Sequence, residues 1–266
     1  MVRLAALAPL GLMALYLILP LVATLLFALA TRWTTTILPE GFTFQWIGET
    51  VRASRFAETL GRSLLLGAAV VLLDLSLVVP ALVVLAVRRP RWQFLLDGAS
   101  LLPYTMPGVV LALALIRFYG ETVPALLGTP WLLGAAHAAL ALPIVYWAVL
   151  NNLKAIRLHE LYEAALTCGA RWHQILRSVV FPNIRTGMSI AAVAGFTASF
   201  TDFAVANFVV GGSWLTFSVW QGYIMRMNGH IMAVTSIVSL LVTMVATLLL
   251  IHLARETKSA APHARG

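Results

Sequence analysis

Apolar residues run in long unbroken stretches along this chain, and none of the stretches alternates with the period of two that marks a barrel strand. An α-helix needs about 20 such residues, at 1.5 Å each, to cross the hydrocarbon layer of a bilayer. Six spans are therefore expected, near 4–30, 63–87, 94–118, 131–150, 186–210 and 231–253. The first closes on Ala28-Leu29-Ala30, which mimics a signal-peptidase site, but its apolar run is far longer than the roughly 7–15 residues of a signal-peptide core. It reads as a retained helix. The expected organisation is one all-α membrane domain over 1–254 and a short polar tail at 255–266.

Composition agrees with this pattern. Of 266 residues, 61% are hydrophobic and only 11% charged, which excludes an ordinary soluble domain. The net charge of +8 would suggest nucleic acid in a soluble protein. Here it follows from topology. With both termini in the cytoplasm, twelve of the eighteen Lys and Arg fall on the cytoplasmic side, and Arg88-Arg89-Pro90-Arg91 forms a tight cluster in a short loop. No nucleic-acid partner is needed. The single Cys168 excludes an internal disulfide. On the outer side, Leu38–Thr43 is a turn signal, Phe44–Leu60 suits a short surface helix, and Trp214, Phe217, Trp220 and Tyr223 suit an interfacial aromatic belt or a partner contact.

The segment between the fourth and fifth spans, 151–185, is too long for a simple connection. Leu158, Leu161, Tyr162, Ala165 and Leu166 recur at helical spacing, and Gly169 breaks the pattern. A second helix follows from about Ala170 and is expected to stop at Val180, before Pro182. The result is a helix-turn-helix elbow with an apolar face.

Within that elbow, Glu163-Ala164-Ala165, three residues, Gly169, nine residues, Val179, one residue and Phe181-Pro182 resemble the EAA loop of inner-membrane permeases of binding-protein-dependent ABC importers. The family pattern has Ile and Leu where this chain has Val179 and Phe181. The resemblance extends from about Arg62 to Leu253, and Leu102-Pro103-Tyr104-Thr105-Met106-Pro107-Gly108 is similar to segments of polyamine, phosphonate and ferric-iron permeases. It implies a six-helix type I importer permease (MetI-like) fold in a bacterial inner membrane, with a cytoplasmic coupling-helix loop. Glu163, Ala164, Ala165, Gly169, Ala170, Val179, Phe181 and Pro182 would then dock an ATPase subunit. The implied partners are an ATPase dimer, a second permease, typically a different chain, and an extracytoplasmic solute-binding protein. The turn at Ile37–Thr43 looks most like permeases for 2-aminoethylphosphonate, with polyamine permeases next and ferric iron or oxyanions more distant.

Ionisable residues inside spans are costly and are functional candidates for that reason. Asp202, in Ser199-Phe200-Thr201-Asp202-Phe203, either counters the amine of a solute, with Ser199, Thr201 and Asn207 adding polar groups, or is a structural carboxylate at a kink. Asp74 in the second span is the weaker candidate, suited to pairing across helices. Asp97 is placed to pair with Arg91 or its neighbours, and Arg117 to snorkel outward. Pro103 and Pro107 either expose backbone carbonyls to a solute path or form a plain kink.

Catalytic signatures are missing from the sequence. His159-Glu160 lacks the second His of a metalloprotease helix, no His or Cys cluster has metal-ligand spacing, and no phosphate-binding loop is present. The chain is expected to bind no cofactor and to do no chemistry of its own, ATP and Mg belonging to the ATPase chains. A stand-alone secondary transporter fits six spans without a repeat poorly. An intramembrane enzyme would need a nucleophile and base, which the linear sequence does not display.

Overall fold

The computed structural model describes residues 2–88 and 90–259, leaving Arg89 of the basic cluster and the tail from Ala260, Arg265 included, outside the described residues. The chain is helical: α1 (Val2–Leu29), α2 (Gln45–Arg52), α3 (Phe56–Arg88), α4 (Gln93–Leu101), α5 (Gly108–Thr122), α6 (Pro130–Ala155), α7 (Leu158–Thr167), α8 (Trp172–Ile175), α9 (Phe181–Thr201), α10 (Ala204–Val209), α11 (Phe217–Met225) and α12 (Gly229–Ser259). Five helices among the described residues are long and apolar enough to cross a membrane, and the bent pair Gln93–Thr105 and Gly108–Thr122 supplies the sixth if counted as one span. The polar tail begins as the last turns of α12, which continues to Ser259.

Two compact units emerge. The first comprises residues 1–59 and 220–242. Here His230 stacks between Phe27 and Trp46, at 4.3 and 4.9 Å between ring centroids, and its Nδ1 bonds the Phe27 carbonyl. The expected turn after α1 is present: Thr31 N–H donates to Gly41, and Thr43 N–H donates to Leu29. The surface helix is α2, tied down by Trp46, whose indole N–H reaches the Ala30 carbonyl at 2.8 Å.

The second unit comprises residues 60–219 and the chain from Thr243. Its core joins the ends of α3 and α6 to the elbow and α9, through Val83, Val87, Val149, Leu153, Leu158, Ile175 and Ile184. The pairing of α6 with α9 is extensive. Gly187 makes it possible, because a Cβ there would run into the Asn152 side chain. Small residues bring membrane helices close enough for dispersion forces to hold them without a hydrophobic drive.

Two aromatic expectations are corrected. Phe217 and Trp220 are not belt residues: they are 0% and 7% exposed. Phe217 stacks near Phe200, and Trp220 meets the edge of Phe56. Tyr223 remains exposed, and Trp214 lies under the Arg62 guanidinium at 5.4 Å.

Candidate functional site: two interrupted spans and an elbow

The third span is a corner. Pro103 sits in the tight turn Leu102–Thr105, Met106 and Pro107 are extended, and the two halves diverge by 91°. The carbonyls of both prolines are already used, Pro103 accepting from Met106 N–H and Pro107 from Val110 and Leu111 N–H. The corner is therefore a kink whose proline carbonyls are satisfied.

The fifth span, expected to run unbroken over 186–210, is also interrupted. α9 ends at Thr201, Asp202 is extended (φ −66°, ψ 120°), and α10 resumes at Ala204. Asp202 makes the break tolerable in lipid, where an unpaired backbone group costs several kcal/mol. Its Oδ2 accepts the Ala206 N–H at 3.0 Å, and its carbonyl accepts the Ser218 hydroxyl at 2.6 Å. The two interruptions abut, since a Cβ on Gly108 would stand 3.1 Å from Cγ2 of Val205.

His137 ties this break to α6. Its Nδ1 lies 2.9 Å from Ser199 Oγ and its Nε2 lies 3.2 Å from Asp202 Oδ2. The imidazole is 2% exposed and the carboxylate 22%. An ionised carboxylate can only accept, so Nε2–H is the donor to Asp202, and the Ser199 hydroxyl, able to donate, suits an unprotonated Nδ1. The network leaves Asp202 Oδ1 without a partner among the described residues.

Serine, histidine and aspartate in a row is also the order of a nucleophilic relay, which the linear sequence concealed. Hydrolysis is disfavoured by the burial gradient. A nucleophile must face its substrate, yet Ser199 is 5% exposed and the outward end of the row is the aspartate.

The remaining expected polar residues separate. Thr201 spends its hydroxyl on the Thr197 carbonyl of its own helix. Asn207 is half-buried in α10, outside the His137 network. Asp74 is buried, and its Oδ2 has no hydrogen-bond partner among the described residues, against the expectation of a cross-helix pair. Asp97 accepts from Tyr146 across to α6, and among the described residues no arginine pairs with it. Arg117 is exposed and approaches Glu121 at 3.8 Å.

The elbow is built as α7, a turn, α8 and one wide turn of the i→i+5 kind at Leu176–Val180. Gly169 has φ +76°, Gly169 N–H donates to Leu166, and Ala170 N–H donates to Ala165. That pair of bonds closes a helix end by a left-handed residue, a role that glycine fills at least cost. The fixed interval between Ala165 and Gly169 is therefore the geometry of a helix stop.

Three features of the elbow become visible only in the fold. Its apolar stripe does not face outward: Leu158 is in the core, and Tyr162, Ala165, Ala170 and Val179 pack against it. The outward surface includes Glu163, Ala164, Leu166, Gly169, Phe181 and Pro182. The Glu163 carboxylate lies 3.1 Å from His159 Nε2 on the same helix. The second helix does not stop at Pro182 either. The wide turn lets the chain pass into α9, absorbing the missing proline N–H and the ring's bulk. Trp172 meets Tyr162 edge-on at 5.9 Å and carries the Arg88 guanidinium on its face at 5.0 Å.

Comparison with known proteins adds two findings. The family model described as "Binding-protein-dependent transport system inner membrane component" matches residues 78–259. The crystal structure of a bacterial ABC transporter involved in the import of the acidic polysaccharide alginate is similar in fold, with a TM-score of 0.69 over 96% of this chain and 95% of that one, at 16% identity.

Proposed function

Because this chain belongs to the family of binding-protein-dependent transport system inner membrane components, we propose that it is the permease subunit of an ATP-driven importer, with the elbow as its docking element and the two interrupted spans as its solute path. The fold is that of a MetI-like permease of ABC importers, a multi-pass membrane protein. Permeases of this family work with ATPase subunits and a solute-binding protein, and the family is one of transport components, not enzymes.

The observation that carries the finer reading is the two-sided elbow. Its inner face is built into the core, while Glu163, Ala164, Gly169, Phe181 and Pro182 are left on the surface. An element so placed receives force on one side and passes it to packed helices on the other. The docked partner is a pair of ATPase chains that hold ATP and Mg, while this chain binds no cofactor. A second permease, in our reading a different chain, completes the path. The membrane is the bacterial inner membrane with both termini cytoplasmic, which puts the elbow and the basic clusters on the ATP side.

Asp202, backed by His137 and Ser199, is proposed as the solute contact, and the corner at Pro103 and Pro107 as the wall beside it. Discontinuous helices near the middle of a membrane are the usual frame for a transported solute. A carboxylate there favours a solute bearing an amine, in line with 2-aminoethylphosphonate or a polyamine as the cargo. Affinity purification from the native membrane in mild detergent tests the assembly. An ATPase, a second permease and a binding protein are expected to accompany the wild type, and the ATPase to be lost from Gly169→Asp. A chain that emerges alone, with the variant indistinguishable, overturns the docking role.

A further inference from the structure

We infer that His137 makes the Asp202 site selective for ammonium over guanidinium groups, by occupying one of the two carboxylate oxygens. The inference rests on the reading of Asp202 as the solute contact and specifies what that contact accepts. Asp202 Oδ2 is held twice, by His137 Nε2 at 3.2 Å and by Ala206 N–H at 3.0 Å. Both of its in-plane lone pairs are thereby spent. Oδ1 is left, on a side chain that is 22% exposed.

The orientation is fixed from behind. His137 is buried on α6, and Ser199, one turn before Asp202 on α9, holds the other ring nitrogen at 2.9 Å. Rotating the carboxylate to offer both oxygens breaks the imidazole bond and uncaps α10 together. A guanidinium gains its advantage from two parallel N–H bonds to two oxygens of one carboxylate, and here it finds only one. An ammonium is a point charge with three donors and needs a single oxygen. The buried imidazole, 62 and 65 residues from its partners in sequence, thus acts as a positioning residue that sets the valence of the acid.

The test uses the full chain, purified with its co-purifying subunits, and follows the melting temperature in titrations with ethylammonium or ethylguanidinium chloride, with tetramethylammonium chloride as the charge control. Wild type is expected to be stabilised by ethylammonium at concentrations about tenfold lower than by ethylguanidinium. His137→Ala frees a lone pair of Oδ2 and is expected to bring the two within about twofold. His137→Gln, whose amide nitrogen reaches the position of Nε2, restores the preference. His137→Asn, which reaches only the Ser199 side, does not, and this separates orientation of Asp202 from mere filling of the space. Equal response of wild type to both cations, or a preference unchanged in His137→Ala and His137→Asn, overturns the inference. Asp202→Asn distinguishes failure of the underlying reading: an ethylammonium response that survives in that variant removes Asp202 as the contact altogether.

Discussion

The guanidinium of Arg88, the last residue of α3, lies 5.0 Å over the indole of Trp172, the first residue of α8. The second span and the elbow are thus fastened by a cation lying on a ring. An ion pair would be screened by salt and would need an acid at the surface, whereas a stacked guanidinium needs neither.

Arg88→Met keeps the apolar stem and removes the charge. With about 0.5–1 kcal/mol for a cation–π contact at an exposed position, solute uptake is expected to fall about two- to fivefold. Arg88→Lys, which keeps a cation over the ring, should retain most of the activity. Comparable uptake in Arg88→Met and wild-type vesicles would dismiss the contact as decoration.

Gly187 and Gly169 differ in why they are glycine. At Gly187 the obstacle is the Asn152 side chain, so Gly187→Val should push α6 from α9 at a cost of about 1–3 kcal/mol, seen as a lower melting temperature or lost expression. Around Gly169 no atom lies within 4 Å of an added Cβ, and the obstacle is the φ of +76° alone. Gly169→Ala should cost about 1–2 kcal/mol and Gly169→Asn less, since asparagine tolerates left-handed backbone. If alanine and asparagine melt alike, the helix-stop account fails.

Tyr146 hydroxyl donates to Asp97 and joins α6 to α4. Tyr146→Phe leaves that carboxylate without its donor and should destabilise by about 1–3 kcal/mol. Adding Asp97→Leu to Tyr146→Phe should recover part of the loss, because no polar group is then stranded. A double-variant cycle on melting data with no coupling between the two would contradict the pairing.

Asp202→Asn retains an oxygen able to cap α10 but loses the charge. Transport of an amine-bearing solute should weaken chiefly through a raised KM, with expression and melting temperature nearly unchanged. Uptake kinetics equal to wild type would assign Asp202 to holding the break and nothing more.

Much of the fold could be read from the sequence because its main signal, long apolar runs, is local. Helices stand at the first, second, fourth and sixth expected spans, with ends up to seven residues from where hydropathy put them. What escaped was set by distant contacts. His137 sits in the middle of the apolar run of α6, and only folding brings it to Ser199 and Asp202. The break after Thr201 was hidden because Phe203, Val205 and Val209 are as apolar as the helix before it. The elbow's periodic face was visible, but periodicity says that a face is buried and not which neighbour buries it. Pro182 misled for the opposite reason: a proline usually ends a helix, and one wide turn was enough to carry the chain past it.

That wide turn has a mechanical consequence. From Trp172 to Thr201 there are 30 residues without a loop. At 1.5 Å per residue this is a rod of about 45 Å, long enough to project beyond the hydrocarbon layer. One end is part of the elbow, and the other stops one residue short of Asp202. The elbow and the residue before Asp202 are thus two ends of one continuous helical connection, so a displacement of Trp172 would reach the carboxylate through helix alone, without an intervening loop.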